Sequence, residues 1–329
     1  MTKYFRYPFI GFRLTQTADK SEAEISSLKG MRYIKKEEYE QFIQTHSNVE
    51  IENTRVNIQK NWKISEYQPS KYNPEEWTVW SFPDRGDWAT HVGNYRGNWS
   101  PYIPRNLIDR FTVAGDLVLD PMMGSGTTLV ESKLMGRNGI GVDINLDSVM
   151  VSMNRLDFRY NPLDESYKEP RIELYEGDAR NLDVLEDDSI DLIATHPPYA
   201  GIIPYSKSHM AGDLSSLKLE DFMTEMGKAA REFLRVLKPG RHCGILIGDT
   251  RKHRHYIPIT IGLLGKFLEA GFILREDIIK MQHNTKTTRE KWKGSNYDFY
   301  KIAHEHLYIF RKLLPDENPR DFKYSVKWW

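Results

Sequence analysis

The chain has 329 residues, 40% of them hydrophobic and 28% charged, enough to bury one sizeable α/β core and leave room for a small accessory region. Lys plus Arg and Asp plus Glu each number 46, so the molecule as a whole exerts no pull on a polyanion, and any such attraction must be local. A single cysteine, Cys243, excludes an intrachain disulfide and argues against a cysteine-based metal site. With a polar N-terminus and no apolar run near the roughly 20 residues of a membrane span, a cytoplasmic protein without a membrane partner is expected.

Residues 1–75 are polar, with a helix-like stretch at Lys36 to Gln44 and a proline-bearing linker from Gln68 to Pro74. They are expected to form an accessory segment, with residues 76–329 as the main domain. Residues 76–100 are rich in aromatic residues and glycine (Trp77, Trp80, Trp88, Gly93, Tyr95, Gly97, Trp99), a composition that suits a pocket-lining loop and a packed surface turn alike. From Asn106 the pattern runs helix, strand (Asp116 to Leu119), glycine loop, helix (Thr128 to Met135) and strand (Gly139 to Val142), which is a βαβ unit. Ile190 to Ala194 reads as a buried strand and Asp221 to Val236 as an amphipathic helix. A turn at Lys238-Pro239-Gly240 then leads to a strand at Cys243 to Ile247, a helix at Ile257 to Ala270, and strands at Phe272 to Ile279 and Glu305 to Phe310. Alternating strands and helices imply an α/β, mostly parallel, doubly wound sheet with helices on both faces.

The loop Asp120-Pro121-Met122-Met123-Gly124-Ser125-Gly126-Thr127-Thr128 lies between a strand and a helix, where glycines let backbone N–H groups approach a ligand at the strand's carboxyl end. Asp143 ends the next strand about 20 residues on, where a doubly wound fold places the carboxylate that accepts from ribose hydroxyls. The loop opens with an acid and lacks the lysine of a triphosphate-binding loop. A nucleoside cofactor with a sulfonium and an amino-acid tail therefore fits better than a phosphorylated one. A tight strand-to-helix turn with no ligand has the same pattern.

Thr195-His196-Pro197-Pro198-Tyr199 follows another apolar strand, at the same sheet edge. Two prolines stiffen the backbone without donating hydrogen bonds, so nearby carbonyls stay free as acceptors, and Tyr199 offers a stacking face. Such a group suits an amino group on a planar base, although a prolyl pair that merely stiffens a loop reads alike.

Together these two motifs resemble the cofactor and catalytic motifs of the bacterial and phage amino-methyltransferases that modify cytosine N4 or adenine N6 in DNA, often within restriction–modification systems. The likeness runs from about residue 76 to residue 312. It implies a Rossmann-like methyltransferase fold with an antiparallel closing strand at Glu305 to Lys312, and S-adenosylmethionine as cofactor. The implied cofactor contacts are Asp120, Pro121, Met122, Gly124, Gly126, Thr127 and Thr128 of the loop, Asn98 and Ser100 before it, and Asp143 and Asp178 after it. His196, Pro197, Pro198 and Tyr199 are the implied catalytic group, acting on a base flipped out of double-stranded DNA. The family usually carries Asp, Asn or Ser where this chain has His196; Thr195 before it favours cytosine N4 over adenine N6. Cytosine C5 chemistry is excluded, because it needs a thiolate and Cys243 sits in a strand with no adjacent proline loop.

Residues 241–312 hold 14 Lys and Arg against 7 Asp and Glu. The surplus gathers at Arg251, Lys252 and Arg254 and at Lys286, Arg289, Lys291 and Lys293, with Trp292 inside the second cluster. Basic loops with an aromatic suit nucleic-acid contact, although one such cluster alone reads as a solvated face. Few residues follow the last strand, so sequence specificity is expected from residues 1–75 and from loops. A restriction endonuclease partner and a nucleoid-associated location follow from the resemblance. An RNA base methyltransferase, a protein-glutamine methyltransferase, which shares the fold and a related Asn-Pro-Pro-Tyr motif, and a non-catalytic nucleic-acid-binding protein are the alternatives.

Overall fold

The computed structural model describes residues 28–51, 54–162, 167–199, 212–283 and 298–326. In chain order, β1 (Arg32–Tyr33), α1 (Lys36–Thr45) and the antiparallel pair β2 (Asn48–Ile51) and β3 (Thr54–Asn57) come first, followed by β4 (Val79–Ser81) and α2 (Tyr102–Phe111). Then β5 (Leu117–Asp120), α3 (Thr127–Leu134), β6 (Asn138–Asp143), α4 (Leu146–Leu156), β7 (Ile172–Glu176) and β8 (Ile190–Thr195) alternate. The remainder is α5 (Leu219–Val236), β9 (Leu237–Ile247), β10 (Thr250–Lys252), β11 (His255–Ile257), α6 (Ile259–Ala270), β12 (Ile273–Met281) and β13 (His304–Arg311).

Nine strands form one sheet in the order β1-β7-β6-β5-β8-β9-β13-β12-β4. Only β1 and β13 run against the others. The seven strands from β7 to β12, with β13 reversed between β9 and β12, make the Rossmann-like methyltransferase fold. Because β5 pairs with both β6 and β8, the winding reverses there, and a crevice opens beyond the carboxyl ends of these strands.

Alternation along the strands sorts the core onto two faces. Leu119, Ile193, Ile245 and Phe310 point to α5 and α6, whereas Val118, Leu192, Leu246 and Ile309 point to α2. Phe222, Met226, Ala229, Ala230 and Phe233 recur at helical spacing and form the buried stripe of α5. Phe233 meets Phe267, which stacks on Phe310 at 4.9 Å between ring centroids. Truncating such a phenylalanine to alanine costs about 3–5 kcal/mol.

Three details differ from the sequence reading. The expected turn at Lys238-Pro239-Gly240 lies inside β9, where the ladder with β8 jumps from Ile190↔Leu237 to Leu192↔His242. Gly240, at φ +76°, folds the extra residues back so that its N–H reaches the Lys312 carbonyl. The cluster around Arg251 forms the β10–β11 hairpin, with His253 and Arg254 at φ 50° and 69°. Finally, the described part of residues 1–75 lies against the core: β1 extends the sheet beside β7, Tyr39 of α1 packs with Val149 and Met150 of α4, and the β2–β3 pair covers Val151.

Candidate active site

A cavity of about 530 Å³ occupies the crevice, within the usual range for small-molecule sites. Pro121, Met122, Met123, Gly124, Ser125 and Thr127 of the glycine loop form one wall, Asp143 to Asn145 and Gly177 to Ala179 another, and His196 to Tyr199 the far end. Tyr95 to Trp99 close it from the aromatic loop, and Glu50 and Ile51 reach it from β2. Tyr95 and Trp99 belong to the aromatic stretch whose composition suited a pocket-lining loop, whereas Glu50 and Ile51 carried no signal in the sequence, since only the fold brings them there.

The loop is held by its own polar groups. Gly124 sits at φ +52°, a left-handed conformation that disfavours side chains, and its N–H donates to Asp143 Oδ2 at 2.9 Å. Asn145 N–H donates to Asp143 Oδ1 at 2.9 Å. Each carboxylate oxygen keeps a further acceptor site, because a carboxylate offers about four. Burial, and then the nearby charges of Asp120 and Asp213, push the Asp143 carboxyl up to about 7 against these two hydrogen bonds.

Asp120 is 2% exposed. Its Oδ2 accepts from the Thr128 hydroxyl, and its Oδ1 accepts from Thr195 at 2.8 Å and from Met122 N–H at 3.3 Å. Burial raises this carboxyl to about 6. Its carboxylate thus ties the glycine loop to the strand end before His196. Thr128 and Gly126 are outside the cavity wall: Thr128 is fully buried beneath Asp120, and Gly126 begins α3 against Ser152. Ser100 is also outside, its hydroxyl donating to the Arg85 carbonyl at 2.7 Å. Asn98 lines the cavity and accepts from the Thr127 hydroxyl. Asp178 lines it too, with both oxygens engaged by the Arg180 guanidinium, which also pairs with Glu225.

At the far end the His196 ring stacks near Trp99, 6.0 Å between centroids, and meets Tyr199 edge-on. His196 Nε2 is 3.0 Å from the Tyr199 hydroxyl, which donates to Glu305 Oε1 at 2.9 Å. Burial holds the imidazole below its ordinary value of 6.5; Glu305 opposes this and Lys280 reinforces it. Glu305 is the group that sequence reasoning missed. The signal was present as an acid inside an apolar closing strand.

Of the expected nucleic-acid contacts, Lys286, Arg289, Lys291, Trp292 and Lys293 lie outside the described residues. Lys252 is exposed at the hairpin, and Arg254 is exposed and 3.5 Å from Asp298. Arg251 is committed inward. Its guanidinium donates to the carbonyls of Arg254 at 3.1 Å and Tyr300 at 2.7 Å, and lies over the rings of Phe299 and Tyr256.

Among the described residues the cavity wall carries six carboxylates (Glu50, Asp120, Asp143, Asp147, Asp178, Asp213) and one guanidinium, Arg96. That charge set repels phosphate and favours a cation that carries hydroxyl donors. The residues present therefore fit S-adenosylmethionine, with its sulfonium, ammonium and ribose. The fold is thus the Rossmann-like methyltransferase fold, with a cavity at its crevice that suits this cofactor.

Residues 9–154 and 190–324 match the DNA methylase family, and the chain belongs to it. Residues 111–236 also match an RMKL-like methyltransferase domain. The Type II methyltransferase M.BsoBI of Geobacillus stearothermophilus is 39% identical over 79 residues, 23% of this chain and 16% of that protein. The tRNA (guanine(10)-N2)-dimethyltransferase of Methanothermobacter thermautotrophicus is 34% identical over 130 residues, 39% of this chain and 34% of that protein. The chain thus spans about a third or less of the length of these curated relatives. A solved S-adenosylmethionine-dependent methyltransferase from Methanosarcina mazei superposes with a TM-score of 0.42 at 17% identity, covering 63% of this chain and 97% of that one. No helix among the described residues is long and apolar enough to cross a membrane.

Proposed function

We propose that this protein methylates the exocyclic amino group of a base in double-stranded DNA, with cytosine N4 as the target ahead of adenine N6. The observation that carries this reading is that the acidic cofactor end and the His196-Pro197-Pro198-Tyr199 end belong to one cavity. Bound S-adenosylmethionine supplies an electrophilic methyl group. Asp143 would accept from its ribose hydroxyls, Met122, Gly124, Thr127 and Asn98 would hold its amino-acid tail, and Asp178 would lie towards its adenine.

At the far end a neutral His196 and the carbonyls beside Pro197 accept the hydrogens of the target amine. This would localise the nitrogen lone pair for attack on the methyl group, the methyl–sulfur bond breaking as the nitrogen–methyl bond forms, with S-adenosylhomocysteine as the leaving group and one amine proton passing to solvent. Tyr199 holds the flipped base by its ring face. The exposed cations of the β10–β11 hairpin, Lys252 and Arg254, supply phosphate contacts.

A second reading, an RNA base amino-methyltransferase, is favoured by the tRNA methyltransferase match, the longer of the two alignments to curated relatives given above. One experiment separates these readings. DNA and RNA from a methylation-free host expressing the chain are digested to nucleosides and examined by mass spectrometry. N4-methylcytosine in DNA is the expected product. N6-methyladenine in DNA overturns the base preference, methylated RNA bases alone favour the second reading, and no methylated base overturns both.

A further inference from the structure

Two guanidinium groups are folded in behind the cavity wall, and neither has a carboxylate partner among the described residues. Arg155, on the last turn of α4, is 2% exposed. Its Nη1 donates to Ser125 Oγ at 2.8 Å and its Nη2 to Asn94 Oδ1 at 2.9 Å. Arg85 donates from Nη2 to the Trp99 carbonyl at 2.9 Å and from Nη1 to the Gly86 carbonyl at 3.4 Å. All four acceptors are neutral. Burial, and then the charge of Arg85, pushes Arg155 down to about 9, opposed by the Tyr95 phenol and by no carboxylate. Burial alone pushes Arg85 down to about 10. Both groups stay charged at neutral pH. Glu131, the buried acid beside His91, is taken by Arg105, His91 and Trp88.

A buried charge without a partner is costly unless something supplies the opposite sign. The acceptors show where that sign is wanted. Ser125 follows Gly124 in the glycine loop, and Asn94 and Trp99 flank the segment that carries Asn98, which accepts from the Thr127 hydroxyl. Ser125, Thr127, Asn98 and Trp99 all line the cavity, so each guanidinium is one hydrogen bond removed from its wall. The amino-acid tail of S-adenosylmethionine carries an ammonium and a carboxylate. The six carboxylates of the wall suit the ammonium and the sulfonium and repel the carboxylate. Removing that carboxylate makes the cofactor more positive, so a wall of acids alone would favour the decarboxylated form.

We propose that Arg155 and Arg85 are positioning residues whose charges, set behind the glycine loop and the aromatic loop, hold the carboxylate of the cofactor's amino-acid tail. This rests on the reading that places the tail beside Asn98 and Thr127, and deepens it. The fold leaves two cations unbalanced in the free protein, and the bound cofactor brings the anion that balances them. Ser125 and Asn94 orient the Arg155 guanidinium, and the Trp99 carbonyl orients that of Arg85.

Calorimetric titration can compare S-adenosylmethionine with its decarboxylated form, which keeps the sulfonium and the amine and lacks only the carboxylate. The parent protein should bind the intact cofactor more tightly. In Arg155→Met and in Arg85→Met the ratio of the two Kd values should shift by about tenfold towards the decarboxylated compound, the effect of a unit charge acting through protein. Arg155→Lys keeps the charge without the paired hydrogen bonds to Ser125 and Asn94, and should keep most of the parent's preference. A purely structural role in tying the two loops together would weaken both compounds alike, in the lysine variant as well. Circular dichroism establishes that each variant is folded. A ratio unmoved in both folded methionine variants overturns the proposal, as does a preference lost in Arg96→Ala and kept in those two. A parent protein that binds neither compound defeats the cofactor reading as well, whereas binding of both with an unmoved ratio defeats only the role of the two cations.

Discussion

Asp120 and Thr195 stand 75 residues apart in sequence and 2.8 Å apart in space, the buried carboxylate of one accepting from the hydroxyl of the other. The same carboxylate accepts from Thr128 at the start of α3. One acid therefore fixes the glycine loop relative to the strand end that carries His196. Asp120→Ala leaves both hydroxyls buried without a partner, at about 1–3 kcal/mol each. Thr195→Val costs about 1.5–3 kcal/mol, since it removes a hydrogen bond to a charged group. Urea denaturation of the two single variants and the double variant should give a coupling above about 0.5 kcal/mol. Simple additivity would mean that the bond contributes nothing.

Cofactor affinity should depend on pH through Asp143. Its carboxyl is raised to about 7, first by burial and then by the charges of Asp120 and Asp213. A cation with ribose hydroxyls prefers the ionised form, so binding expels the proton. Below pH 7 the Kd for S-adenosylmethionine should rise, approaching about tenfold per pH unit. The folded-state value also lies above the unfolded one, so the free protein loses this contribution to stability as pH rises through about 7. The rise in Tm on adding cofactor should therefore be larger at pH 8 than at pH 6. Calorimetric titration that shows constant affinity from pH 6 to 8 would refute this, and Asp143→Asn should flatten the profile.

Glu131 should be among the costliest residues to lose. It is fully buried on α3 and accepts from Trp88 Nε1 and His91 Nε2 at 2.7 Å each, and from Arg105 at 2.7 Å. Against its burial, His91 and then Arg105 hold the Glu131 carboxyl below its ordinary range. Glu131→Ala strips a buried ion pair of one partner, at about 3–5 kcal/mol. It also frees the aromatic loop that carries Tyr95 to Trp99 into the cavity, so cofactor affinity should fall with stability. Chemical denaturation with a loss below about 1 kcal/mol would contradict this account.

The basic hairpin separates into two kinds of cation. Arg251 pins the hairpin to the Tyr300 carbonyl and the Phe299 ring, whereas Lys252 and Arg254 are exposed. In fluorescence anisotropy with duplex DNA at several salt concentrations, Lys252→Ala and Arg254→Ala should each flatten the salt slope by about one unit. Arg251→Ala should instead lower the thermal stability and weaken binding with little change of slope. Equal slope changes from all three would return Arg251 to the set of direct contacts.

Much of this protein could be read before folding was considered. Periodicity placed the helices at α3, α5 and α6 and the strands at β5, β6, β8, β12 and β13, because a strand buried on both faces is apolar throughout and an amphipathic helix repeats every 3.6 residues. The glycine loop, Asp143 and His196 to Tyr199 were legible for the same local reason: each lies at a strand end, where a short segment carries its own chemistry. Tertiary structure decided what depends on partners distant in sequence. Glu305 is an ordinary acid in the chain and becomes part of the site only because β13 runs antiparallel beside β9 and β12. Asp120 was expected to touch the cofactor; it lines the cavity, and its oxygens also hold Thr128 and Thr195. Arg251 was expected to contact phosphate, and its guanidinium donates to the carbonyls of Arg254 and Tyr300. In each case the type of residue is written locally, but burial and the neighbour that satisfies its charge are set by packing across the sheet, which local sequence does not encode.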